Sequence, residues 1–365
     1  MPRVIYNNKN AVFFKSLKQA VDAYFKDRQI SKTGDWRLFS KALILVPIAI
    51  ALYLILLMGS YPVWLGIVLS AMWGITLALV GFNIMHDACH GSYSSKKWVN
   101  ELLSLSLNAL GGNAFFWKNK HNIIHHTYTN VDGVDDDIAH SPIIRMCSTQ
   151  RWYPIHRIQH IYTPLLYSLS SIFWILTKDF INYFSRQIYT TPLPKMDRKE
   201  HLIFWVSKLL YVVFYIALPI FVVGWLPWLV GFLVMHFTLG ITMSVVFQLA
   251  HVVEETAFEF VAEDAEEVKL IESEWAVHQI NTTANFSPNN KWLSWCVGGL
   301  NYQVEHHLFP RISHIHYPEL SRIVREKCAE FNLTYHSIPT MTEAFVSHIR
   351  LIRLLGKKPQ LAMAS

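Results

Sequence analysis

The sequence predicts an all-α integral membrane protein, with four transmembrane helices arranged as two hairpins and a cytoplasmic helical cap that carries clustered histidines. Three observations predict this class. Two long stretches of the chain are almost free of charge, each stretch contains one short uncharged turn, and three histidine clusters lie outside both stretches.

The composition places much of the chain in an apolar environment. Hydrophobic residues make up 52% of the 365 residues and charged residues only 16%, whereas soluble proteins carry about 25% charged residues. Residues 42–85 contain no charged side chain, and residues 202–253 contain one, Lys208. A transmembrane helix needs about 20 apolar residues, so each stretch is long enough to cross a bilayer twice. The predicted spans are residues 42–58, 62–83, 202–223 and 226–250.

The alternative is that these stretches are buried helices of a large soluble protein. Uninterrupted apolar runs of this length favour membrane spans over such helices. No secretory signal is expected ahead of them, because the first forty residues are mixed and charged. The four cysteines show no paired spacing, which predicts reduced thiols on a cytoplasmic face.

The distribution of Lys and Arg predicts the orientation of the spans. The turns at residues 59–61 and 224–227 are uncharged, and every Lys and Arg outside the spans lies before, between or after the two hairpins. Cytoplasmic loops carry the excess of basic residues, so both termini and the cap are predicted to face the cytoplasm. The net charge of +6 suits anionic lipid headgroups. The sequence has no Lys/Arg-rich cluster typical of nucleic-acid binding, so nucleic acid is not a predicted partner.

One domain is predicted over residues 41–350, within which residues 84–200 and 251–350 form the cap. An interfacial or cytoplasmic arm over residues 1–40 precedes it, and a polar tail over residues 351–365 follows. Apolar residues recur at helical spacing between Val12 and Phe25, which predicts a helix that lies on the membrane or packs against the cap.

Two further apolar segments lie between the hairpins. Residues 102–116 are too short to span and contain Gly111 and Gly112, which predicts a buried or re-entrant segment. Residues 161–184 are amphipathic, which predicts an interfacial helix interrupted at Thr163–Pro164 and at Lys178–Asp179.

Three histidine clusters carry the chemistry, and they read HDACH, HNIIHH and QVEHH from His86, His121 and Gln303. Residues four apart share one face of an α-helix. His86 and His90 can therefore present two imidazoles to one metal, as can His121 and His125. His126 is rotated by about 100° from its neighbour and is predicted to reach a second metal. His306 and His307 repeat this splayed pair.

Other residues are candidates for binding or supporting a metal. His251 ends the fourth predicted span and is predicted to be a ligand, whereas His278 and Gln303 are predicted to bind metal or to support the ligands. Metal-bound histidines usually donate their second N–H to a carboxylate, and the candidate carboxylates are Asp87, Asp135 and Glu305. His236 is predicted to be a hydrogen-bonded core residue. The remaining histidines are interpreted as ordinary interfacial residues: His140, His156, His160, His201, His314, His316, His336 and His348.

The residue types do not determine which metal ion binds. Zinc takes three or four protein ligands, fewer than the clusters offer, and imidazole suits iron, copper, nickel and zinc alike. The number of histidines favours two metal ions over one.

The clusters resemble those of the membrane fatty acid desaturases, whose three histidine boxes are written HxxxH, Hxx(x)HH and (H/Q)xxHH. The resemblance covers about residues 40–345 in order, spacing and topology. Gln303 at the start of the third box is similar to the front-end branch, in particular to Δ6 linoleoyl-CoA-type enzymes, which add a cis double bond between an existing one and the carboxyl end. The second box departs from that branch, because three residues precede its final histidine pair where many front-end members have two.

The resemblance implies a diiron enzyme that uses O₂ to desaturate a fatty acyl chain carried on CoA, a lipid or acyl carrier protein. The sequence contains no HPGG haem motif of a fused cytochrome b5 domain, which implies a separate donor, ferredoxin or cytochrome b5. The ligands that the resemblance implies for two non-haem irons are His86, His90, His121, His125, His126, His251, His306 and His307.

Two other functions compete with desaturation. Hydroxylases of alkyl or lipid chains use a similar histidine-rich diiron scaffold, and a hydroxylated product would distinguish them. A histidine-rich metal transporter or zinc receptor would instead place histidines along a path within the spans, whereas these clusters lie outside them.

Overall fold

A computed structural model describes residues 4–261 and 268–359, and most of these residues are helical. Within them, four helices are long and apolar enough to cross a membrane, and each matches one of the four predicted spans, with only residue 62 of a predicted span falling outside its helix. The chain is accordingly an integral membrane protein. The four helices are Trp36–Met58, Val63–His90, Arg198–Val223 and Trp225–His251.

The first membrane helix, α2 (Trp36–Met58), has clear boundary signals. Asp35 caps its start by accepting a hydrogen bond from the backbone N–H of Arg37 at 2.8 Å. Gly59 ends it in the left-handed conformation at a φ of 67°. Only 17% of its most apolar stretch is buried inside the protein. Most of its apolar side chains therefore face outward, as expected for a helix in contact with lipid.

The second membrane helix carries the first histidine cluster at its end. Helix α3 (Val63–Val80) continues through one π-helical turn, Gly81–Met85, into α4 (His86–His90). Gly91 then stops the helix at a φ of 74°. A π turn inserts an extra residue into the helix and occurs often at functional sites. Here it immediately precedes His86 and sets the direction in which the cluster faces.

The segment after this cluster is broken into short helices. Residues 102–116, predicted to be buried or re-entrant, fall into three of them, and Gly111 separates the last two at a φ of 97°. A second π-helical segment, Lys118–His125, carries the second histidine cluster. The helices are α5 (Lys97–Ser104), α6 (Ser106–Ala109), α7 (Ala114–Trp117) and α8 (His126–Tyr128).

Residues 159–185 form one continuous helical rod, and the predicted interruptions are wrong. It consists of α9 (Gln159–Phe173), a π turn (Trp174–Lys178) and α10 (Asp179–Ser185). Pro164 lies inside α9, where it removes one backbone donor from the helix, and the hydroxyl of Ser168 donates to the Pro164 carbonyl at 2.9 Å. The charges of Lys178 and Asp179 are tolerated in the rod because each has an oppositely charged partner.

The second pair of membrane helices completes the apolar core. Helix α11 (Arg198–Tyr211) continues through a π segment (Val212–Ala217) into α12 (Leu218–Val223), and α13 (Trp225–His251) follows. Helix α13 packs along α3 and α9. The shared core of these helices contains Trp73, Leu77, Met235, Leu239 and Leu249.

The C-terminal third supplies short helices that close over the histidines. They are α14 (Trp275–Thr282), α15 (Lys291–Cys296), α16 (Gln303–Leu308), α17 (Tyr317–Glu330) and α18 (Met341–Leu355). Short 3-10 turns lie at Asn8–Asn10, Asp136–Ile138, Pro154–Ile158 and His314–His316.

The N-terminal helix α1 (Val12–Arg28) packs against α17 and α14. Phe13, Leu17, Val21 and Phe25 form its buried stripe. Of the two placements predicted for this helix, packing against the C-terminal helices is the observed one.

Short two-stranded sheets tie distant segments together. Three pairs are parallel and one, β3 with β4, is antiparallel. The pairs are β1 (Val4–Tyr6) with β6 (Lys269–Ile271), β2 (Val131–Asp132) with β5 (Glu259–Phe260), β3 (Gln187–Ile188) with β4 (Thr191–Pro192), and β7 (Asn285–Phe286) with β8 (Ser337–Ile338).

The predicted polar tail begins too early. Helix α18 continues to Leu355 because Ile352 and Leu355 are buried, so residues 351–355 belong to the folded body. Residues 360–365 of that predicted tail lie outside the described part of the chain.

A buried ion pair joins α11 to the rod. The ammonium of Lys208 donates to Asp179 at 2.7 Å and to the backbone carbonyls of Gly111 and Ile175 at 2.7 and 2.9 Å. Burial raises the pKa of the Asp179 carboxyl to about 6, against the opposing effect of Lys208. This lysine therefore holds two separate segments, the rod and the chain around Gly111, against one membrane helix.

Removing that lysine is expected to destabilise the protein. Lys208→Met leaves the buried Asp179 carboxylate without its cation, so the free energy of unfolding should fall by about 3–5 kcal/mol. Denaturant titration in detergent, followed by circular dichroism, measures the change. Leu209→Met, at an exposed position on the same helix, is the matched control. Lys208→Met/Asp179→Leu should recover most of the loss, and a double variant no more stable than Lys208→Met would contradict this account.

Candidate metal centre

Four segments of the chain bring the predicted ligand histidines together: α4, the π segment before α8, the end of α13, and α16. All eight of these histidines are buried. Their ring nitrogens fall into overlapping groups, and within each group the nitrogens lie within 4.8 Å of one another.

The first group contains four imidazoles, those of His86, His90, His121 and His306. The Nε2 atom of His121 lies 3.3 Å from Nε2 of His86 and 3.4 Å from Nε2 of His306. Lone pairs of several imidazoles converging at such distances form a site into which one metal ion fits.

The second group contains His125, His251 and His307. In each ring Nδ1 lies near an oxygen acceptor: Asp135 at 3.0 Å from His125, the Thr282 carbonyl at 3.4 Å from His251, and Gln279 at 2.8 Å from His307. A ring that donates from Nδ1 keeps its Nε2 lone pair free. These contacts therefore orient three lone pairs for a second metal ion.

His126 lies between the two groups. It forms a third group with His306 and His307, and its Nε2 lies 3.2 Å from Nε2 of His121. This arrangement corrects the predicted pairing of the second cluster, because His121 and His125 belong to different groups. The cause is the π conformation of Lys118–His125. Its i→i+5 hydrogen bonds bring residues five apart together, whereas the prediction assumed α-helical spacing.

Three of the donor atoms have no partner among the described residues and are free to bind a metal ion. Nε2 of His90, His251 and His307 are buried without a hydrogen-bond partner in the described part of the chain. An unpaired buried polar atom is costly and needs an explanation. Burial, together with the neighbouring imidazoles, holds the pKa of His121, His126, His306 and His307 well below the usual range. Neutral imidazole is the form that binds metal.

Carboxylates support one side of the centre. Asp135 also accepts the backbone N–H of Asn130 at 3.0 Å, so its contact with His125 is rigid. Burial opposes a charge on His125, but Asp135 and Asp137 outweigh burial and raise the pKa of this ring. A carboxylate partner of this kind fixes the ring and makes it a more basic ligand.

A charged network that the sequence did not predict supports the other side. Asp87 lies 3.0 Å from Nδ1 of His314 and accepts from the hydroxyl of Ser313 at 2.8 Å. The buried ammonium of Lys41 donates to Nε2 of His314 at 2.9 Å and to Asn83 at 2.8 Å. Asp87 directly follows His86, so this network fixes the first cluster against α2. His314 is therefore part of the centre, and its interpretation as an ordinary interfacial histidine is wrong.

The other residues that were predicted to bind metal or to support the ligands lie in different surroundings. His278 lies outside these groups and donates from Nε2 to the Thr129 carbonyl at 2.9 Å. Glu305 accepts from Asn285 at 2.7 Å and Tyr335 at 2.8 Å, and burial raises its pKa to about 7. Gln303 is buried, and neither amide atom has a hydrogen-bond partner among the described residues.

Two residues that the sequence did not single out orient the third cluster. Gln279 accepts from His307, as described above, and the hydroxyl of Tyr317 lies 3.1 Å from Nδ1 of His306. A lone glutamine or tyrosine has no spacing signal, so only the fold reveals these roles. Outside the centre, His236 is hydrogen-bonded to Ser171 and Tyr211 at 2.9 and 2.6 Å, which confirms its predicted core role.

A cavity of about 280 Å³ reaches the first group of histidines, and His121 lies in its wall. Trp117 stacks on His121 with ring centroids 4.3 Å apart, and Phe247 lies on the same wall. Met243 and Phe173 extend the apolar lining, whereas the rest of the wall includes polar and charged side chains. We call this space the inner cavity.

The charged part of the inner cavity is internally neutralised. Lys178 contacts Asp136 at 2.7 Å, and Lys120 contacts Asp136 at 3.3 Å and Asp137 at 2.6 Å. The two carboxylates raise the pKa of Lys120, although burial opposes this charge. The inner cavity therefore combines an apolar wall with a balanced polar wall, both close to the histidines.

The fold and the site together define an integral membrane protein whose buried histidine clusters can hold metal. The family model for fatty acid desaturases matches residues 59–339 of the chain. The chain belongs to the fatty acid desaturase family and is a fatty acyl desaturase, an oxidoreductase that acts on acyl lipids with iron-dependent chemistry. This assignment removes the metal transporter and the zinc receptor from consideration.

Several named relatives match almost the whole chain. A sn-1 linoleoyl-lipid 6-desaturase of Synechocystis sp. is 36% identical over 97% of this chain and 98% of its own length. The enzyme of the same name from Arthrospira platensis is 34% identical over 96% of this chain and 95% of its own. An acyl-lipid (8-3)-desaturase of Physcomitrium patens is 33% identical over 95% of this chain and 72% of its own.

The two groups predict that ligand loss reduces bound metal in steps. His90→Ala and His251→Ala each remove one nitrogen from a different group, so each should lose about half of the iron that the wild-type protein binds, whereas the double variant should lose nearly all. Elemental analysis of purified protein measures iron per chain. His160→Ala, which lies in none of the groups, is the control and should retain full iron. Equal iron in all four variants would contradict the assignment.

The contact between Asp135 and His125 predicts a weaker effect. Asp135→Asn keeps the shape but removes the negative charge, so iron affinity should fall by about 10–100-fold while the protein still folds. Competition with a chelator measures the affinity, and circular dichroism checks the fold. Unchanged iron retention would show that this carboxylate does not act on the metal.

Proposed function

We propose that this enzyme is a front-end desaturase that inserts a cis double bond into an already unsaturated acyl chain, between the existing double bond and the carboxyl end. Two features support the proposal. The third cluster begins with Gln303, as in the front-end branch, and two relatives that match nearly the full chain are named linoleoyl-lipid 6-desaturases.

We further propose that two iron ions bind here. The first would be held by His86, His90, His121 and His306, the second by His125, His251 and His307, with His126 between them; Gln303, with its unpaired amide, is a candidate for additional binding. Two irons would supply the oxidising power that removes two hydrogens from adjacent methylenes, while O₂, these two hydrogens, two external electrons and two protons yield two molecules of water. Asp87, Asp135 and the Lys41–His314 pair keep the ligands oriented.

The residues of the inner cavity would position the acyl chain. A methylene has no polar group that the enzyme could bind. The shape of the cavity therefore has to position the reacting C–C bond. Trp117 and Phe247 flank His121 in the cavity wall, where they would hold the chain beside the first iron and exclude water. The contact of this cavity with His121 is the observation on which the proposed function depends. Lys178 and Asn182 would face the polar carboxyl end of the acyl group.

The arrangement in the membrane belongs to the same proposal. The four membrane helices would form two hairpins, with the histidine-bearing cap and both termini on the cytoplasmic side. Residues 41–350 would act as one desaturase domain, preceded by the arm at 1–40. Electrons would come from a separate carrier, ferredoxin or cytochrome b5, and the acyl chain would arrive on a lipid, CoA or acyl carrier protein.

Product analysis tests the proposed function. The protein expressed in a host that is fed linoleic acid should produce a fatty acid with one additional cis double bond on the carboxyl side, located by mass spectrometry of derivatised products. His306→Ala should abolish the product while the protein still inserts into membranes. A hydroxylated product without a new double bond, or a new double bond on the methyl side, would contradict the proposal.

Filling the inner cavity tests how the chain is held. Ser170 lies in the cavity wall, and Ser170→Trp should occupy space needed by the chain and lower turnover at least tenfold, while iron content stays at the wild-type level. Ser168→Trp is the positional control, because that residue is on the same helix but outside the lining. Full turnover by Ser170→Trp would place the acyl chain elsewhere.

A further inference from the structure

We infer that the enzyme binds a phosphate ester of its acyl carrier in a basic pocket formed by Arg186 and Lys195, next to the inner cavity. The inference rests on the proposed front-end function and adds the chemical class of the carrier. It concerns a different space from the one assigned to the acyl chain.

The basic pocket has a volume of about 270 Å³ and lies where the rod ends and α11 begins. Arg186 follows the last residue of α10, and Lys195 lies in the linker before α11. Among the described residues, no aspartate or glutamate lines this pocket. Its lining therefore carries a net positive charge.

The two cations of the basic pocket have no ion-pair partner among the residues that the structure describes. Arg186 and Lys195 are exposed, and neither forms an ion pair with any described residue. Lys120 and Lys178 of the inner cavity differ, because Asp136 and Asp137 neutralise both. The basic pocket therefore carries positive charge that no carboxylate of its described lining neutralises, whereas the inner cavity does not. An anionic group of the substrate would bind in the basic pocket.

Two further polar side chains complete the lining, Tyr183 and His201. The hydroxyl of Tyr183 accepts from the indole N–H of Trp205 at 3.0 Å and lies 2.9 Å from Nδ1 of His201. The pocket therefore has polar groups beside the two cations and no side chain of opposite charge among its described lining residues.

The basic pocket and the inner cavity share two wall residues, Phe116 and Asn182. In a front-end reaction the reacting carbons lie only a few bonds from the carboxyl group. The group esterified to that carboxyl must therefore stay close to the histidines. A pocket that adjoins the inner cavity is in the position that this geometry requires.

Phosphate is the group that matches these side chains. Guanidinium and ammonium groups form charge-assisted hydrogen bonds with phosphate oxygens, and arginine does so with two parallel donors. An uncharged sugar headgroup would leave both cations without a counter-ion. Phosphoglycerides and acyl-CoA thioesters both carry a phosphate ester, so either source satisfies the inference.

A comparison of carriers tests the inference. The purified, iron-loaded enzyme with a reduced electron donor is given linoleoyl chains on phosphatidylglycerol, on CoA and on an uncharged galactolipid. We expect kcat/KM for at least one phosphate-bearing carrier to exceed that for the galactolipid by about tenfold or more, as charge-assisted contacts imply. Activity on phosphatidylglycerol alone identifies a lipid carrier, and activity on CoA alone identifies a soluble one.

Charge-neutral variants assign the effect to the pocket. Arg186→Gln/Lys195→Gln should raise KM for the preferred phosphate carrier about tenfold or more, with kcat and iron content unchanged, and should leave KM for the galactolipid unaltered. Lys199→Gln, an exposed position outside the pocket lining, is the matched control and should change neither value.

Two results would overturn the inference: equal or better use of the galactolipid by the wild-type enzyme, or a double variant that affects all carriers alike. A wild-type enzyme that desaturates none of the three carriers, despite bound iron and a competent donor, contradicts the proposed function itself.

Discussion

The structure depends on the convergence of buried, neutral imidazoles. Gathering eight histidines in an apolar interior is tolerable only if each ring is uncharged or faces a carboxylate, as His125 does, and if each ring nitrogen has a partner. Low pKa values satisfy the first condition for His121, His126, His306 and His307. The second condition is met only in part within the protein, since several Nε2 atoms have no hydrogen-bond partner in the described ranges. Bound metal would satisfy these atoms, which would link the folding of the surrounding helices to the occupancy of the site.

Much of the surrounding fold orients these imidazole rings toward one another. The π turns at Gly81–Met85 and Lys118–His125 rotate two clusters toward each other. Lys41 and His314 hold the first cluster, while Asp135 holds the second and Gln279 the third. The segments that supply these partners come from distant parts of the chain, so the centre forms only when all of these segments have come together. Metal affinity should therefore be sensitive to substitutions far from the ligands in sequence.

Sequence patterns were enough to predict the four apolar helices and the eight histidines that the fold brings together. A charge-free run such as residues 42–85 has few structural alternatives, and clustered histidines at ligand spacing are informative by themselves. The allocation of ligands was not predictable in the same way. It depends on a π conformation at His121, whose signal in the local sequence is weak compared with that of an α-helix. The network around Asp87 was also hidden, because His314, which contacts Asp87, lies 227 residues away in sequence, and Lys41, which contacts His314, lies 273 residues from it.

The central claim is that the eight histidines hold two iron ions in distinct ligand groups. Mössbauer spectroscopy of the wild-type protein loaded with ⁵⁷Fe tests it most directly, combined with iron quantification. We predict two irons per chain, both high-spin and nitrogen-ligated, and no haem signal. A single iron per chain with one environment, or a protein that remains fully folded and active with zinc alone, would contradict the account.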